Sequence, residues 1–212
     1  MWKDIIPNLV FHYVEKLKKV NQELYTPKLQ DILKAFRLLP FDACKVVILG
    51  QDPYPQKGVA TGIAFANKEG SSPTSPSLEV IKSSVLSLAE SKEKAKFDVT
   101  LESWEKQGIL LLNSSLTVHV NMPGSHQKVW KPAMEELVTN MSEANPKLFW
   151  ILFGASAWKF EDCIKNKSNN VLTEYHPAYF ARKGIPMGNW MWKKMIEYVE
   201  QVFGKKLLLW DE

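Results

Sequence analysis

The chain alternates short apolar runs with longer amphipathic segments. Four runs are rich in branched and aromatic side chains, and a fifth run is weaker; the five are Lys45–Leu49, Gly62–Ala66, Ile109–Leu112, Leu148–Phe153 and, weakest, Val171–Tyr175. Runs of this length and composition are typical of strands buried on both faces of a parallel sheet. The pattern therefore predicts a central sheet of four parallel strands.

Apolar positions at helical spacing occupy the segments between and around these runs. The predicted helices contain Leu78–Leu88 after a cap at Ser77, Met134–Met141 after Pro132, Val10–Leu17 near the start and Met191–Phe203 near the end. Strands that alternate with helices predict an α/β fold with helices on both faces of the sheet. A length of 212 residues without repeats suits a single domain over residues 1–212.

Composition limits the function only loosely. The formal net charge of +4 and the pI near 8.9 favour a polyanionic partner without identifying it. Cys44 and Cys163 lie far apart with no Cys/His cluster around them, so we expect buried thiols and no metal site. The first residues carry Asp4 and Glu15 and no long apolar run, which predicts neither a signal peptide nor a membrane span. We expect a cytoplasmic protein, located at the nucleoid of a cell or, if the protein is viral, in the host cytoplasm or nucleus.

Polar residues directly follow the apolar runs. Gln51 and Asp52 follow the first run, Asn113 follows Ile109–Leu112, and His176 follows the weak run. Ligands bind at the carboxyl ends of parallel strands, so these side chains are expected at one rim as a catalytic constellation. Each has an alternative when taken alone, because Asp52 could belong to a turn, Asn113 to a cap and His176 to a loop.

Several motifs, in order, resemble family 1 uracil-DNA glycosylases. They are GQDPYP (50–55), GIAF (62–65), PSLE (76–79), LLLNSSLTV (110–118), Ser125-His126, HPAYFAR (176–182) and a Lys-rich end with Trp210. The resemblance implies an enzyme of base excision repair that flips uracil out of DNA and hydrolyses its N-glycosidic bond. It implies no cofactor and no metal. It also implies no lyase activity, since no lysine nucleophile stands in the motif.

The resemblance assigns roles to the residues at the strand ends. Asp52 would stabilise the sugar cation and direct the attacking water, and His176 would donate a hydrogen bond to uracil O2. Asn113 would read the O4 and N3–H edge of uracil, which cytosine cannot match. Tyr54 would exclude the C5 methyl group of thymine. Phe65 would stack on the flipped ring, and Gln51 would present backbone, side chain or both to the base.

The same resemblance implies contacts with single- or double-stranded DNA that are mostly to phosphate. Ser77 and the loop before it would contact phosphates, Phe180 would act as the wedge in the duplex, and Arg182 would meet phosphate. A monomer is expected, with a proteinaceous glycosylase inhibitor or a replication protein as potential partners.

Three positions depart from the family pattern. Pro55 replaces a histidine, Ala178 replaces a serine, and Ala155 replaces a serine with Ser156 one place later. Two phosphate-contacting hydroxyls are therefore missing from their usual places. The first two variants are shared with poxvirus glycosylases that act as replication processivity factors, so a DNA-binding scaffold with weak activity is the alternative hypothesis. A glycosylase for another modified pyrimidine is a third, which Tyr54 argues against.

Overall fold

The computed structural model describes residues 1–91, 94–165 and 170–211. The strands are β1 (Tyr25–Thr26), β2 (Val46–Gly50), β3 (Ile109–Asn113), β4 (Val118–His119), β5 (Phe149–Phe153) and β6 (Asn170–Glu174). The helices are α1 (Asn8–Leu17), α2 (Lys34–Leu38), α3 (Pro76–Leu86), α4 (Glu102–Lys106), α5 (Gln127–Ala144), α6 (Gly154–Trp158), α7 (Pro177–Lys183) and α8 (Trp190–Phe203).

Four parallel strands form the central sheet in the order β3-β2-β5-β6. Gly50 pairs with Asn113, and Phe153 pairs with Glu174, so the carboxyl ends of the strands lie at one edge of the sheet. β1 and β4 form a separate antiparallel pair. The predicted α/β class with a four-stranded parallel sheet is confirmed.

The run Gly62–Ala66 is not a strand, so this prediction is wrong, and the weak fifth run supplies the fourth strand as β6. Gly62 has φ +87°, and a Cβ atom there would lie 1.8 Å from the carbonyl oxygen of Asp31. Phe65 also has a left-handed φ of +66°. The segment is thus a tight turn, which meets the edge of β3 through the bond from Ala64 N–H to Leu111 C=O at 3.2 Å.

Two predicted helix starts are also corrected. α3 begins at Pro76 after the N-cap Ser75, so Ser77 lies within the helix and is not its cap. Asn67 holds that start, because its side chain bonds both the backbone N–H and the hydroxyl of Ser75. α5 begins at Gln127, and Pro132 lies inside it. A proline there removes one helical hydrogen bond, which the packed face of this 18-residue helix offsets.

The two faces of the sheet are covered by different helices. One face packs with α1 and α5 through Val47, Leu49, Leu110, Leu112, Trp150 and Leu152. The other face packs with α3, α4 and α8 through Val46, Ile48, Ile109, Leu111, Phe149, Ile151 and Phe153. Alternate residues of each strand therefore enter separate cores, as expected of a sheet covered on both sides. Among the described residues, no helix combines the length and the apolar character needed to cross a membrane.

Glu105 is a buried carboxyl group in the second of these cores. Its Oε1 accepts the N–H of Leu111 at 3.4 Å, and its Oε2 has no partner among the described residues. Burial raises the pKa of Glu105 to about 8. The folded protein therefore keeps a proton that the unfolded chain releases near the ordinary carboxyl pKa, so its stability falls as pH rises from 4.5 to 8.

Replacing Glu105 with Gln is therefore expected to stabilise the protein at alkaline pH. The variant should gain on the order of 1 to 3 kcal/mol of unfolding free energy at pH 8 and little near pH 4.5. Urea unfolding of wild type and Glu105→Gln across this range measures the difference. A difference that does not change with pH would contradict the assignment, and Glu143→Gln, which changes an exposed carboxylate on α5, is the control.

Candidate active site

A cavity of about 270 Å³ opens at the carboxyl edge of the sheet. Eight of the nine residues singled out from the sequence line it, namely Gln51, Asp52, Tyr54, Phe65, Ser77, Asn113, His176 and Arg182. Its position follows the rule that ligands bind at the carboxyl ends of parallel strands, here called the strand-end rule. Gln51 follows β2, Asn113 ends β3 and His176 lies two residues beyond β6. The cavity has room for one six-membered heterocycle.

The Asp52 carboxylate is held asymmetrically. Oδ2 accepts the backbone N–H of Gly124 at 2.7 Å and the side-chain Nε2–H of Gln51 at 3.0 Å. Gln127 Nε2 lies 3.5 Å from both carboxylate oxygens. One oxygen is therefore fixed by two short hydrogen bonds, while Oδ1 keeps lone pairs that can face a ligand.

His176 is presented to the cavity as a neutral imidazole. Its Nδ1 accepts the backbone N–H of Ala178 at 3.1 Å, so the ring proton resides on Nε2. Burial, together with the positive charge of Arg182, lowers the pKa of His176 to about 4. Nε2 has no partner among the described residues, so it is available as a hydrogen-bond donor.

Two glycines set the positions of these side chains. A Cβ atom on Gly154 would lie 2.8 Å from His176 Cβ, so the absence of a side chain after β5 lets the imidazole approach. A Cβ atom on Gly50 would lie 2.8 Å from both Asn113 Oδ1 and the ring of Phe65. The cavity floor thus requires glycine where β2 ends. The amide of Asn113 makes no hydrogen bond within the described part of the chain, so it can bind a ligand.

Tyr54 and Phe65 form one aromatic wall. The Tyr54 hydroxyl donates to the carbonyl of Phe65 at 2.7 Å, and burial raises the pKa of Tyr54 so that this donor stays protonated. The Phe65 ring packs edge-on against Phe153 and lies 5.5 Å from the His176 ring. The left-handed backbone of Phe65 is uncommon for an aromatic residue, and strain of this kind is typical of functional sites.

Gln51 has little side-chain capacity left for a ligand. Its Nε2 bonds Asp52 and its Oε1 accepts the Ser156 hydroxyl at 3.1 Å. Its carbonyl accepts the backbone N–H of Ser115 and the hydroxyl of Ser114. The backbone N–H of Gln51 has no partner among the described residues, so the backbone is the part of Gln51 that can meet a base.

Phe180 is the predicted site residue that the structure does not bring to the cavity. Its side chain is 9% exposed and packs in the core with Met187 and Met191 under α7. An exposed aromatic residue, Tyr175, directly precedes His176; it is 53% exposed, and its ring stacks on Tyr179 at 4.8 Å. In this structure the side chain of Phe180 is therefore not exposed for the role of a wedge, which stays a prediction.

Sequence reasoning assigned no role to three residues around Asp52, namely Gly124 and Gln127, which contact its carboxylate, and Ser156, which bonds Gln51. Gln127 and Ser156 are 75 and 105 residues away from their partners along the chain. No local motif marks these contacts. The one available signal is that Ser156 follows a strand end by three residues, as other site residues follow theirs.

The fold and the cavity together define an α/β enzyme with a carboxylate and a neutral imidazole around a base-sized cavity. A family model described as "Uracil DNA glycosylase superfamily" matches residues 36–200, and the chain belongs to this superfamily.

Proteins named uracil-DNA glycosylase are similar over most of the chain. The Coxiella burnetii protein (strain Dugway 5J108-111) is 35% identical over 80% of this chain and 74% of its own length. The Fusobacterium nucleatum protein is 37% identical over 87% and 84% of the two chains. The crystal structure of mimivirus uracil-DNA glycosylase superposes with a TM-score of 0.80 at 25% identity and covers 97% of this chain and 81% of that one.

Proposed function

We propose that the protein is a family 1 uracil-DNA glycosylase that flips uracil out of DNA and hydrolyses its N-glycosidic bond. The observation that carries the proposal is the cavity in which Asp52 and the neutral His176 are delivered from different strand ends. The relatives named above, such as the Fusobacterium nucleatum protein, are consistent with it. We further propose that the protein acts as a cytoplasmic monomer.

In the proposed reaction, charge separates between the base and the sugar. The electron pair of the N-glycosidic bond leaves with uracil, and a water oxygen forms the new bond to C1′ of the sugar. The water proton passes to Asp52, whose negative charge also stabilises the cationic sugar. His176 donates its Nε2–H to uracil O2, where the negative charge of the leaving base develops. Asp52 then releases its proton to solvent and the uracil anion takes one up, so the products are uracil and an abasic site.

Base recognition would use donors and acceptors that have no partner inside the protein. The Asn113 amide can accept from N3–H and donate to O4 of uracil, and the Gln51 backbone N–H can donate to O2. Cytosine would present a donor where uracil presents O4, so buried polar groups would be left unpaired. An Asn113 amide that points its oxygen at N3–H and its nitrogen at O4 thus supports selection of uracil over cytosine.

The direct test of the proposed function is base excision from matched oligonucleotides. Strands that carry one uracil or one thymine are incubated with the protein in EDTA and then treated with alkali, which cleaves at abasic sites. Cleavage at uracil alone is expected. A wild-type protein that binds DNA without producing abasic sites would favour the scaffold alternative, and activity that chelation abolishes and zinc restores would contradict the proposed mechanism.

Tyr54 provides a test of discrimination against thymine. Tyr54→Ala removes the ring that would clash with a C5 methyl, so thymine excision should rise by about 10- to 200-fold, the range typical of one methyl group in a pocket. Tyr54→Phe loses the bond to the Phe65 carbonyl but keeps the ring, so it should still refuse thymine. Single-turnover excision from single-stranded DNA measures both variants. Equal thymine excision by both would argue against a steric role.

The DNA would bind around the mouth of the cavity. The Ser77 hydroxyl has no partner in the described chain, and the backbone N–H of Ser77, in the first turn of α3, accompanies it. Arg182 is exposed on α7, which packs against α3, and it can contact phosphate. The stack of Tyr175 and Tyr179, rather than the buried Phe180, is the aromatic surface that we propose fills the duplex after the base is extruded.

Substitutions in the tyrosine stack should distinguish it from Phe180. Tyr179→Ala is expected to slow excision from duplex DNA by about 5- to 100-fold, the usual effect of one lost stacking contact, and to slow excision from single strands less. Phe180→Leu should instead lower the melting temperature and leave the ratio of duplex to single-strand rates unchanged. If Phe180→Leu alone changes that ratio, Phe180 becomes exposed on DNA binding and is the wedge.

The mimivirus enzyme has been solved as a Y322L variant in complex with UGI, with a TM-score of 0.80 to this chain. We propose that the present protein also binds a proteinaceous inhibitor at the DNA-facing edge of the cavity. A replication protein is the other potential partner proposed from the sequence. Inhibition of excision by UGI tests the first partner directly.

A further inference from the structure

We propose that Ser156 is a positioning residue that orients the Asp52 carboxylate through the side chain of Gln51. This inference rests on the proposed function, because it concerns the residue that would direct water. Ser156 lies in α6, does not line the cavity and has no assigned role in the reaction.

The hydrogen bonds that join these residues run in one direction. Gln127 Nε2–H donates to Ser156 Oγ at 3.4 Å, and Ser156 Oγ–H donates to Gln51 Oε1 at 3.1 Å. Gln51 Nε2–H then donates to Asp52 Oδ2 at 3.0 Å. A serine hydroxyl has one proton, so donation to Gln51 leaves its oxygen free to accept from Gln127. Each bond therefore strengthens the next one toward the carboxylate.

The Ser156 hydroxyl fixes which end of the Gln51 amide faces Asp52. An ionised carboxylate only accepts hydrogen bonds, so the amide must present its nitrogen to Asp52 and its oxygen away from it. Ser156 supplies the donor that satisfies this oxygen. Without the hydroxyl, the Gln51 oxygen loses its hydrogen-bond donor, and the amide can turn away from Asp52.

The result is a carboxylate with two different oxygens. Oδ2 is saturated by the Gln51 amide and the Gly124 backbone, whereas Oδ1 has only the long contact from Gln127 at 3.5 Å. Oδ1 is thus the oxygen left to accept the proton of the attacking water. A freely rotating carboxylate would lose this preorganised geometry, which is the source of much of the rate in such sites.

The test is a kinetic comparison of Ser156→Ala with Ser156→Thr, which keeps a hydroxyl. We expect Ser156→Ala to lower kcat on uracil-containing DNA about tenfold, the effect of one hydrogen bond linked to a charged group, with KM and the Kd for DNA unchanged. Ser156→Thr should recover most of the rate. Ser83→Ala, an exposed serine on α3, is the matched control and should equal wild type. Thermal melts monitor folding of every variant.

A double-mutant cycle separates positioning from a general structural role. Gln51→Leu should also lower kcat, and adding Ser156→Ala to it should change kcat less than twofold, because both act through one bond to Asp52. The proposal would be overturned if the two single losses in kcat multiplied in the double variant, if Ser156→Ala raised KM, or if Ser156→Ala had the wild-type rate. A wild-type protein without uracil excision would instead overturn the proposed function, and this inference with it.

Discussion

Asp52→Asn is expected to reduce uracil excision by about 10²- to 10⁴-fold, the range that a general acid or base typically contributes. Asn can keep its oxygen toward the Gly124 N–H and the Gln51 amide, because both of these groups are donors. Its NH2 group then occupies the place of Oδ1. The substitution removes the negative charge and aims a donor at the sugar on which positive charge develops, so the transition state loses its main electrostatic support.

Binding of DNA by Asp52→Asn should remain near the wild-type level or become tighter. The carboxylate acts mainly in the transition state, and removal of a negative charge near phosphates does not oppose binding. Single-turnover excision and fluorescence anisotropy on the same oligonucleotide measure the two effects. Asp162→Asn changes an exposed carboxylate after α6 and should leave both unchanged. A variant at Asp52 that excises within tenfold of wild type would show that Asp52 is not the catalytic carboxylate.

The sheet was predictable because buried parallel strands leave a simple mark in the sequence. β2, β3 and β5 are continuous apolar runs that are buried along nearly their whole length. β6 is an edge strand with half-buried and exposed side chains, and its sequence is correspondingly less apolar. Its weaker signal therefore reflects the exposure of its side chains, since β3 at the other edge of the sheet is buried and apolar.

The segment Gly62–Ala66 could not be distinguished from a strand by composition. Its backbone is set by contacts from distant residues, in particular the carbonyl of Asp31, which leaves no space for a side chain at Gly62. An apolar run indicates that a segment is buried, but not whether it is a strand or a turn. This turn is as buried as a strand, because Phe65 packs on Phe153. Pattern alone cannot report the left-handed φ that reverses the chain there.

The strand-end rule located the polar side chains of the site but not the network behind them. Asp52, Asn113 and His176 could be found because each follows an apolar run closely. The Ser156 to Gln51 bond joins residues 105 positions apart, and only the pairing of β2 with β5 brings them together. Phe180 illustrates the opposite case, since its motif position predicts a wedge while the packing of α7 turns its side chain into the core in this structure.

His176→Leu is expected to lower the rate of uracil excision by about 10²- to 10³-fold, the typical effect of removing one preorganised donor to a developing anion. The variant keeps an apolar side chain of similar bulk beside Phe65, so the cavity should stay folded and DNA binding should change little. Gly154→Ala provides an independent approach, because its Cβ would displace His176 without removing the imidazole. Its rate should fall between wild type and His176→Leu.

The pH dependence decides whether the imidazole acts in its neutral form. Because the pKa of His176 is lowered to about 4, the ring is neutral from pH 6 to 8.5, and its Nδ1 stays bonded to the Ala178 N–H. The single-turnover rate of the wild type should therefore be flat across this range. An imidazolium donor would instead lose its proton as pH rises through the ordinary histidine pKa near 6.5, and the rate would fall with it. A flat profile in wild type, combined with a large loss in His176→Leu, requires a neutral donor, since only that species is both present throughout the range and removed by the substitution.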